Sequence, residues 1–428
     1  MLELLRKDLK LVSCIVIITL LLIARDIMGI TVSDIVVTVA CASSMAVLKY
    51  EKMVYLIFFM FPIMCGVPGY IITIAYLLLL IKGPCLTSRQ IVPLIIVIFL
   101  EIINELFRDV SGLYTGMLSF LSFTAVFFYF LDERRNLYSV QKSLIAYGIG
   151  TSLVFIVIYI NMFQQYGIDA VLSGMLRSGA LGVIDNDVEK MRGHLALNAN
   201  TIAYMAISVV SMFSVLLETK SKMKVIYMVI TAICFVAGIF SFSRTYIAII
   251  LLFVLFLFLK SKGTKKIKLG ASLFFVGITI LCIWGNVVDS IFNAFEGRME
   301  EDNITTGSGR TILFALYNKA WFENLYYVLF GVGVVTYREV LNVYNAMHNG
   351  LQQIWVCLGI MGLLLYCLRI GSYLRNIYTS NSSILYIPFV VTLMLDQSIQ
   401  FLNPYPLVLI LLVTLQLPKI VLEQETCK

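Results

Sequence analysis

The chain has 428 residues, of which 60% are hydrophobic and only 13% are charged, and its mean hydropathy is +0.93. Soluble domains typically have about 45–50% apolar and about 25% charged residues, so this composition excludes an ordinary soluble enzyme. The apolar excess falls into repeated runs of roughly 15–20 residues, each long enough to cross a bilayer as a helix. The sequence therefore predicts an all-α polytopic integral membrane protein.

Hydropathy predicts about 12–14 transmembrane helices; the lower number applies if two closely spaced pairs of runs are re-entrant elements. The first run follows a basic N-terminal stretch and has no small-residue cleavage site, which indicates an uncleaved helix. In chain order the runs are centred on 11–28, 31–48, 53–66, 68–82, 91–107, 114–131, 142–163, 197–217, 224–242, 244–260, 268–286, 348–368, 383–401 and 404–420. The closely spaced pairs are 53–66 with 68–82 and 224–242 with 244–260.

Basic residues are distributed unevenly between the loops on the two sides of this bundle. With the N-terminus inside, most of the 32 Lys and Arg residues fall in inner loops, the bias expected of cytoplasmic loops. An even number of helices returns the C-terminus to the cytoplasm. The net charge of +7 then reflects topology, and we expect no nucleic-acid partner.

Two segments are too long and too polar to cross the membrane, and this orientation places both outside. Residues 1–428 then form a single transmembrane domain with a first outer loop at 164–195 and a large outer loop at 286–347. The large loop contains TILFALYNKAWFENLYYVLFGVG, which mixes aromatic and aliphatic residues as packed amphipathic structure does. We therefore expect one or two short helices in it.

Candidate functional residues gather near the outer loops. The outer basic residues are mostly arginines, whose planar guanidinium group suits phosphate. Arg244, in SFSRTY between two apolar runs, is costly to place near a bilayer without a partner. His348, one of two histidines, ends the large loop. The alternative to a functional role for Arg244 is an interfacial arginine that reaches lipid head groups, and the alternative for His348 is a histidine that caps a helix.

Further polar residues lie at helix ends. The helix around IFLEIINELFRD places Glu101, Glu105 and Arg108 close to one face, which leaves open a structural pair between Glu105 and Arg108. Asn198 and Asn200, in LALNANTIAY, either hydrogen-bond between helices or hold a sugar hydroxyl.

Taken together, these segments resemble the O-antigen polymerase (Wzy-type)/O-antigen ligase superfamily of bacterial polysaccharide enzymes. The resemblance covers roughly residues 190–370 and rests on LNANTIAY, SFSRTY, GSGRTILFALYNKAWFENLYYVLFGVG and HNGLQQIWVCLGIMGLLLY in that order. It implies a GT-C-like glycosyltransferase bundle in the bacterial cytoplasmic (inner) membrane, with the active site on the outer face and without metal or other cofactor. The implied partners are undecaprenyl-pyrophosphate-linked glycan donor and acceptor, the lipid bilayer, a chain-length regulator and a flippase.

The resemblance also implies residue roles. The family's essential histidine matches His348, which would be the base for the acceptor sugar hydroxyl, and two family arginines match Arg244 and Arg310, which would bind the pyrophosphate leaving group. Arg338 and Arg192 have no counterpart in the family pattern. The substrate-binding candidates are Arg338, Arg192, Asn198, Asn200, Asn349 and Gln352.

These roles predict an inverting polymerase that joins lipid-linked repeat units into O-antigen, capsular or exopolysaccharide. A ligase of the same superfamily, which transfers finished glycan to lipid A core or to protein, would use the same residues. A polysaccharide flippase or another transporter is the alternative from a different class, and it predicts charges deep in several helices or internal repeats. A purely structural scaffold would leave the arginines and the histidine without a role.

Overall fold

The computed structural model describes residues 8–66, 70–83, 88–106, 120–122, 124–126, 139–172, 195, 197–218, 223–260, 263, 310–334, 337–343, 347 and 349–378. Its helices, in chain order, are α1 (Leu9–Leu22), α2 (Asp34–Val47), α3 (Tyr50–Met60), α4 (Tyr70–Lys82), α5 (Ser88–Leu106), α6 (Val140–Leu172), α7 (Ala199–Glu218), α8 (Lys224–Phe240), α9 (Arg244–Lys260), α10 (Arg310–Phe322), α11 (Leu325–Phe330), α12 (Tyr337–Val340) and α13 (Gly350–Tyr378). A π-helical turn (Ile23–Ile27) continues α1, and a 3-10 turn (Ile63–Gly66) follows α3. The predicted all-helical class is thereby confirmed for the described residues.

Two of the described helices are long and apolar enough to cross a bilayer, Val140–Gly167 and Gly350–Leu368, and several shorter helices are also apolar. Large apolar side chains point outward on these shorter helices: Ile35 is 71% exposed, Ile81 76% and Leu251 64%. Apolar surface of this extent marks contact with lipid or with another protein. The apolar helices indicate a membrane protein, and the count of 12–14 spans and the GT-C-like topology stay predictions.

Several polar side chains inside the bundle hydrogen-bond to one another or to backbone carbonyls. The hydroxyl groups of Tyr147 and Ser208 lie 2.9 Å apart and join α6 to α7. Tyr159 of α6 donates its hydroxyl to the Ala237 carbonyl of α8 at 2.9 Å. Such bonds satisfy polar groups where no water is at hand. They make α6 the helix against which α7 and α8 are positioned.

The helix predicted from the run at 142–163 is longer in the structure than in the sequence-based prediction. It continues as α6 to Leu172, into the segment predicted as the first outer loop, 164–195. Gly167 interrupts it with a φ of 76°, a conformation that glycine adopts at little cost. Hydropathy did not predict this extension because the residues just beyond the apolar run include polar ones, and polar residues occur in helices as well as in loops.

The described part of the segment predicted as the large outer loop is packed and helical. It contains α10, α11 and α12, three short helices where one or two are predicted. The indole nitrogen of Trp321 donates to the Tyr327 carbonyl at 2.6 Å, which fixes α10 against α11. The rings of Tyr317 and Tyr337, 6.0 Å apart, join α10 to α12. The expectation of a packed aromatic segment is confirmed.

The helix that follows this loop, α13, is broken in its first half. Gly359 has a φ of 66° and a ψ of −170°, which is not helical. The carbonyls of Val356 and Cys357 instead accept the backbone N–H groups of Val332 and Gly333, both at 2.9 Å. A break at membrane depth is tolerated where protein satisfies the freed backbone groups. The loop segment after α11 therefore lies against the first half of an apolar helix.

Two polar residues of α5 hold the same loop. Glu101 is fully buried and accepts the Val334 backbone N–H with both carboxylate oxygens at 2.9 Å. Asn104, one turn further on, donates to the Phe330 carbonyl at 3.1 Å and accepts the Tyr326 hydroxyl at 3.3 Å. Residues three apart share a helix face. The polar face of α5 thus anchors the segment predicted as the large outer loop to the bundle.

Candidate functional site

The first group of predicted site residues lies where α7 begins. The side-chain oxygen of Asn198 accepts the backbone N–H of Asn200 at 2.8 Å, so Asn198 caps the helix. The side-chain oxygen of Asn200 accepts the Ser243 hydroxyl at 3.2 Å. Ser243 immediately precedes Arg244, the first residue of α9. The Asn-rich helix start and the SFSRTY hairpin are therefore joined directly.

The tight turn between α8 and α9 determines where Arg244 begins its helix. Ser241 accepts the Ser243 backbone N–H on its hydroxyl at 3.3 Å, and Phe242 has a φ of 49°, uncommon for a residue other than glycine. The Ser243 carbonyl accepts the Ile247 N–H at 3.2 Å, the first helical bond of α9. Free N–H groups and the helix dipole favour an anion at such a helix start. This turn suits a phosphate group.

The second group lies where α13 begins. The side-chain oxygen of Asn349 accepts the Gln352 backbone N–H at 3.0 Å, so Asn349 caps α13. The Gln352 side chain is buried, with an exposure of 1%. Its amide donates to the Phe314 carbonyl at 2.9 Å and to the Asn318 side-chain oxygen at 3.2 Å, both on α10. Gln352 and Asn349, predicted as substrate ligands, thus make structural bonds here.

The Gln352 bonds join α10 and α13, the two helices that begin at or next to predicted site residues. α10 begins at Arg310, and α13 begins just after His348 and Asn349. The ring of Trp355 on α13 meets Phe314 of α10 edge to face, with centroids 6.0 Å apart. The amide bonds and the aromatic contact fix the start of α10 relative to the start of α13.

Arg338 lies on α12, where its side chain is exposed. Its Nε donates to the Tyr337 hydroxyl at 3.1 Å, and its guanidinium carbon lies 5.7 Å from that ring centroid, a cation–π contact. Burial raises the pKa of the Tyr337 hydroxyl, and the hydrogen bonds from Arg338 and the Met347 backbone partly offset this. Met347, which precedes His348 in the chain, is thus among the groups that act on this tyrosine.

A buried ion pair at the end of α1 was not among the predicted site residues. Arg25 and Asp26 lie in the π-helical turn, 3% and 6% exposed, with Nη2 and Oδ2 2.9 Å apart. Asp26 also accepts the Leu195 backbone N–H at 3.1 Å, shortly before the α7 cap. The sequence feature that could have predicted this pair is the adjacent Arg and Asp at the end of an apolar run, because an unpaired charge is costly there.

Several predicted residues lie outside the described part of the chain, and for others only the backbone is described. The residues outside the described part are Arg108, Arg192 and His348, and only the backbone is described for Glu105, Arg244 and Arg310. The segments predicted as outer loops, 164–195 and 286–347, are described in part. The roles of these residues stay predictions.

Comparison with known proteins identifies one part of the chain. No curated protein matches it. Residues 229–367 match the Wzy_C family model, described as O-antigen ligase. This span includes the α8–α9 hairpin, α10 and the first half of α13. Over residues 229–367 the chain is therefore similar to the O-antigen ligase family, and its resemblance to the O-antigen polymerase/ligase superfamily is confirmed.

Proposed function

We propose that this protein is a membrane glycosyltransferase that polymerises undecaprenyl-pyrophosphate-linked oligosaccharide repeat units on the outer face of the bacterial cytoplasmic membrane. The observation that carries the proposal is the family match at residues 229–367, because that span contains Arg244, Arg310 and His348 in one domain. The bond network of Gln352 supports it, since it ties the helix that begins at Arg310 to the helix that follows His348.

The reaction breaks the bond between the donor's anomeric carbon and the pyrophosphate oxygen. It forms a bond from that carbon to a hydroxyl oxygen of the acceptor sugar. Negative charge develops on the departing pyrophosphate, and Arg244 and Arg310 stabilise it with charge-assisted hydrogen bonds. Each arginine is the first residue of a helix, so the dipoles of α9 and α10 add to the stabilisation.

His348 takes the proton from the acceptor hydroxyl as it attacks. An unperturbed histidine has a pKa of about 6.5, close to the working pH, and general base help of this kind is worth roughly 10²–10⁴-fold. One displacement at the anomeric carbon inverts its configuration. In this scheme no step is assigned to a metal ion.

The proposal places both termini in the cytoplasm and both outer loops at the face where the lipid-linked substrates are presented. Holding donor and acceptor at one membrane face replaces a search in solution by proximity. A flippase that supplies the repeat units and a regulator of chain length are the partners that such a polymerase requires.

The test uses purified protein in nanodiscs, supplied with lipid-linked repeat units alone. A polymerase converts them into a ladder of longer glycans. His348→Ala and Arg310→Ala should each abolish the ladder while the amount of protein in the membrane stays unchanged. Normal chain length in either variant would contradict the assignment.

A ligase is the second candidate, because the matching family model is described as O-antigen ligase. A ligase makes no ladder from repeat units alone. It transfers a preformed lipid-linked glycan in one step to an added acceptor, either lipid A core or protein. Single transfer without a ladder would replace the polymerase by the ligase and leave the roles of the arginines and the histidine in place.

A further inference from the structure

An apolar groove with a volume of about 370 Å³ lies between α6 and α8. It opens outward, since Ile156 and Val236 on its rim are 42% and 48% exposed. Its lining is aliphatic and aromatic and includes Phe155, Tyr159, Phe163, Ala232, Val236 and Phe240. A groove of this size and chemistry fits part of a hydrocarbon chain.

Hydrogen bonds fix the walls of this groove. Tyr159 donates to the Ala237 carbonyl at 2.9 Å, and Tyr246 of α9 donates to the Phe235 carbonyl at 3.0 Å. Both bonds hold the last turns of α8. The rings of Tyr159 and Phe240 meet edge to face at 6.0 Å. A site that is formed before its ligand arrives costs less ordering entropy on binding.

The groove leads to the hairpin that carries Arg244. Phe240 lines the groove and is the last residue of α8, and Arg244 is the first residue of α9. At about 1.5 Å of rise per residue, the end of the groove lies within roughly one helix turn of that hairpin. In the predicted orientation, this end is the outer one. A ligand with a charged head at the hairpin would place its apolar tail in the groove.

We propose that this groove binds the isoprenoid chain of the lipid pyrophosphate donor. The proposal rests on the proposed function, because it takes Arg244 as a ligand of the pyrophosphate. Lipid tails are as apolar as the groove, so the hydrophobic effect alone does not draw a chain out of the bilayer. Selectivity comes from packing against fixed aromatic rings and from the charged head held at the end of the groove.

The first experiment fills the groove. Ala232 and Val236 line it, so Ala232→Trp and, as a second variant, Val236→Trp block it from the exposed side. Both should raise the KM for an undecaprenyl-linked donor by about tenfold, the order of effect of a misfit in an apolar pocket, and leave kcat unchanged. A donor on a two-isoprene tail should be unaffected. The control is Val225→Trp, on the same helix, 67% exposed and outside the groove.

The second experiment measures binding without transfer. A photo-crosslinking amino acid replaces Ala232 or, as control, Val225, in nanodiscs that contain phosphatidylglycerol and labelled undecaprenyl pyrophosphate. Capture at position 232 should exceed capture at position 225 and should fall when unlabelled undecaprenyl phosphate is added. Equal capture at both positions, or displacement by phosphatidylglycerol, would identify ordinary bilayer lipid and overturn the proposal.

The two experiments separate this proposal from the proposed function. Selective capture by a protein that forms neither a glycan ladder nor a single transfer product would support the groove and overturn the glycosyltransferase. A glycan ladder with an unchanged KM in both groove variants would support the glycosyltransferase and overturn the groove.

Discussion

Gln352 is the residue whose role changes most between sequence and structure. Its position beside the outer loop predicts a sugar ligand, but both of its bonds from the side-chain amide go to α10. An amide nitrogen carries two donors, and Gln352 uses both in these bonds. We therefore interpret Gln352 as a positioning residue that acts through the helix beginning at Arg310.

Gln352→Met tests this role, since it keeps the length of the side chain and removes both donors. The Phe314 carbonyl and the Asn318 side chain then each lose one donor, and a hydrogen bond of this kind contributes about 0.5–1.5 kcal/mol. We expect a lower thermal midpoint and a lower kcat with an unchanged KM. A direct sugar contact predicts the opposite, a raised KM at an unchanged midpoint. Lys319→Met, on the exposed face of α10, is the control.

The sequence predicts local features of the site better than distant ones. Asn198 lies at a helix end, as predicted, but it caps α7 by accepting the Asn200 backbone N–H, which is neither of the two roles predicted for it. The partner of Glu101 could not be predicted, because the Val334 N–H that it binds is 233 residues away. No local pattern in either segment points to the other.

At the scale of elements, α13 shows what hydropathy does not measure. The run at 348–368 predicts one continuous helix because most of its residues are apolar. The structure breaks that helix at Gly359, where the loop after α11 supplies donors to the Val356 and Cys357 carbonyls. A break of this kind depends on a partner segment and not on local apolarity, so only the span itself was predictable.

Glu101 tests how firmly α5 holds this loop. Glu101→Gln keeps one carbonyl oxygen that can accept the Val334 N–H, whereas Glu101→Leu leaves that buried donor unpaired at a cost of about 1–3 kcal/mol. We expect the Leu variant to unfold at a lower temperature and to be cut faster by protease in the large loop, with the Gln variant close to the parent protein. Equal behaviour of the two variants would show that another contact holds the loop.

At the scale of the whole molecule, three turns predicted to lie outside are joined by hydrogen bonds. The end of α1 binds the segment before α7 through Asp26 and Leu195, and the start of α7 binds the α8–α9 hairpin through Asn200 and Ser243. These two hydrogen bonds hold the three polar turns together at one end of the bundle. The all-helical class was predictable because few other structures cross a membrane, but the contacts that join the turns were not.

The orientation of this bundle is testable by fusions, and it decides whether the proposed base can act. Lysine-rich loops should stay in the cytoplasm, so a green fluorescent protein after Lys428 or Lys262 should fluoresce. Alkaline phosphatase, which is active only outside, should be active when it is fused within the large loop, after residue 300, and inactive after Lys262. The reverse pattern would place His348 in the cytoplasm, away from substrates on the outer face, and would contradict the proposed mechanism together with the topology.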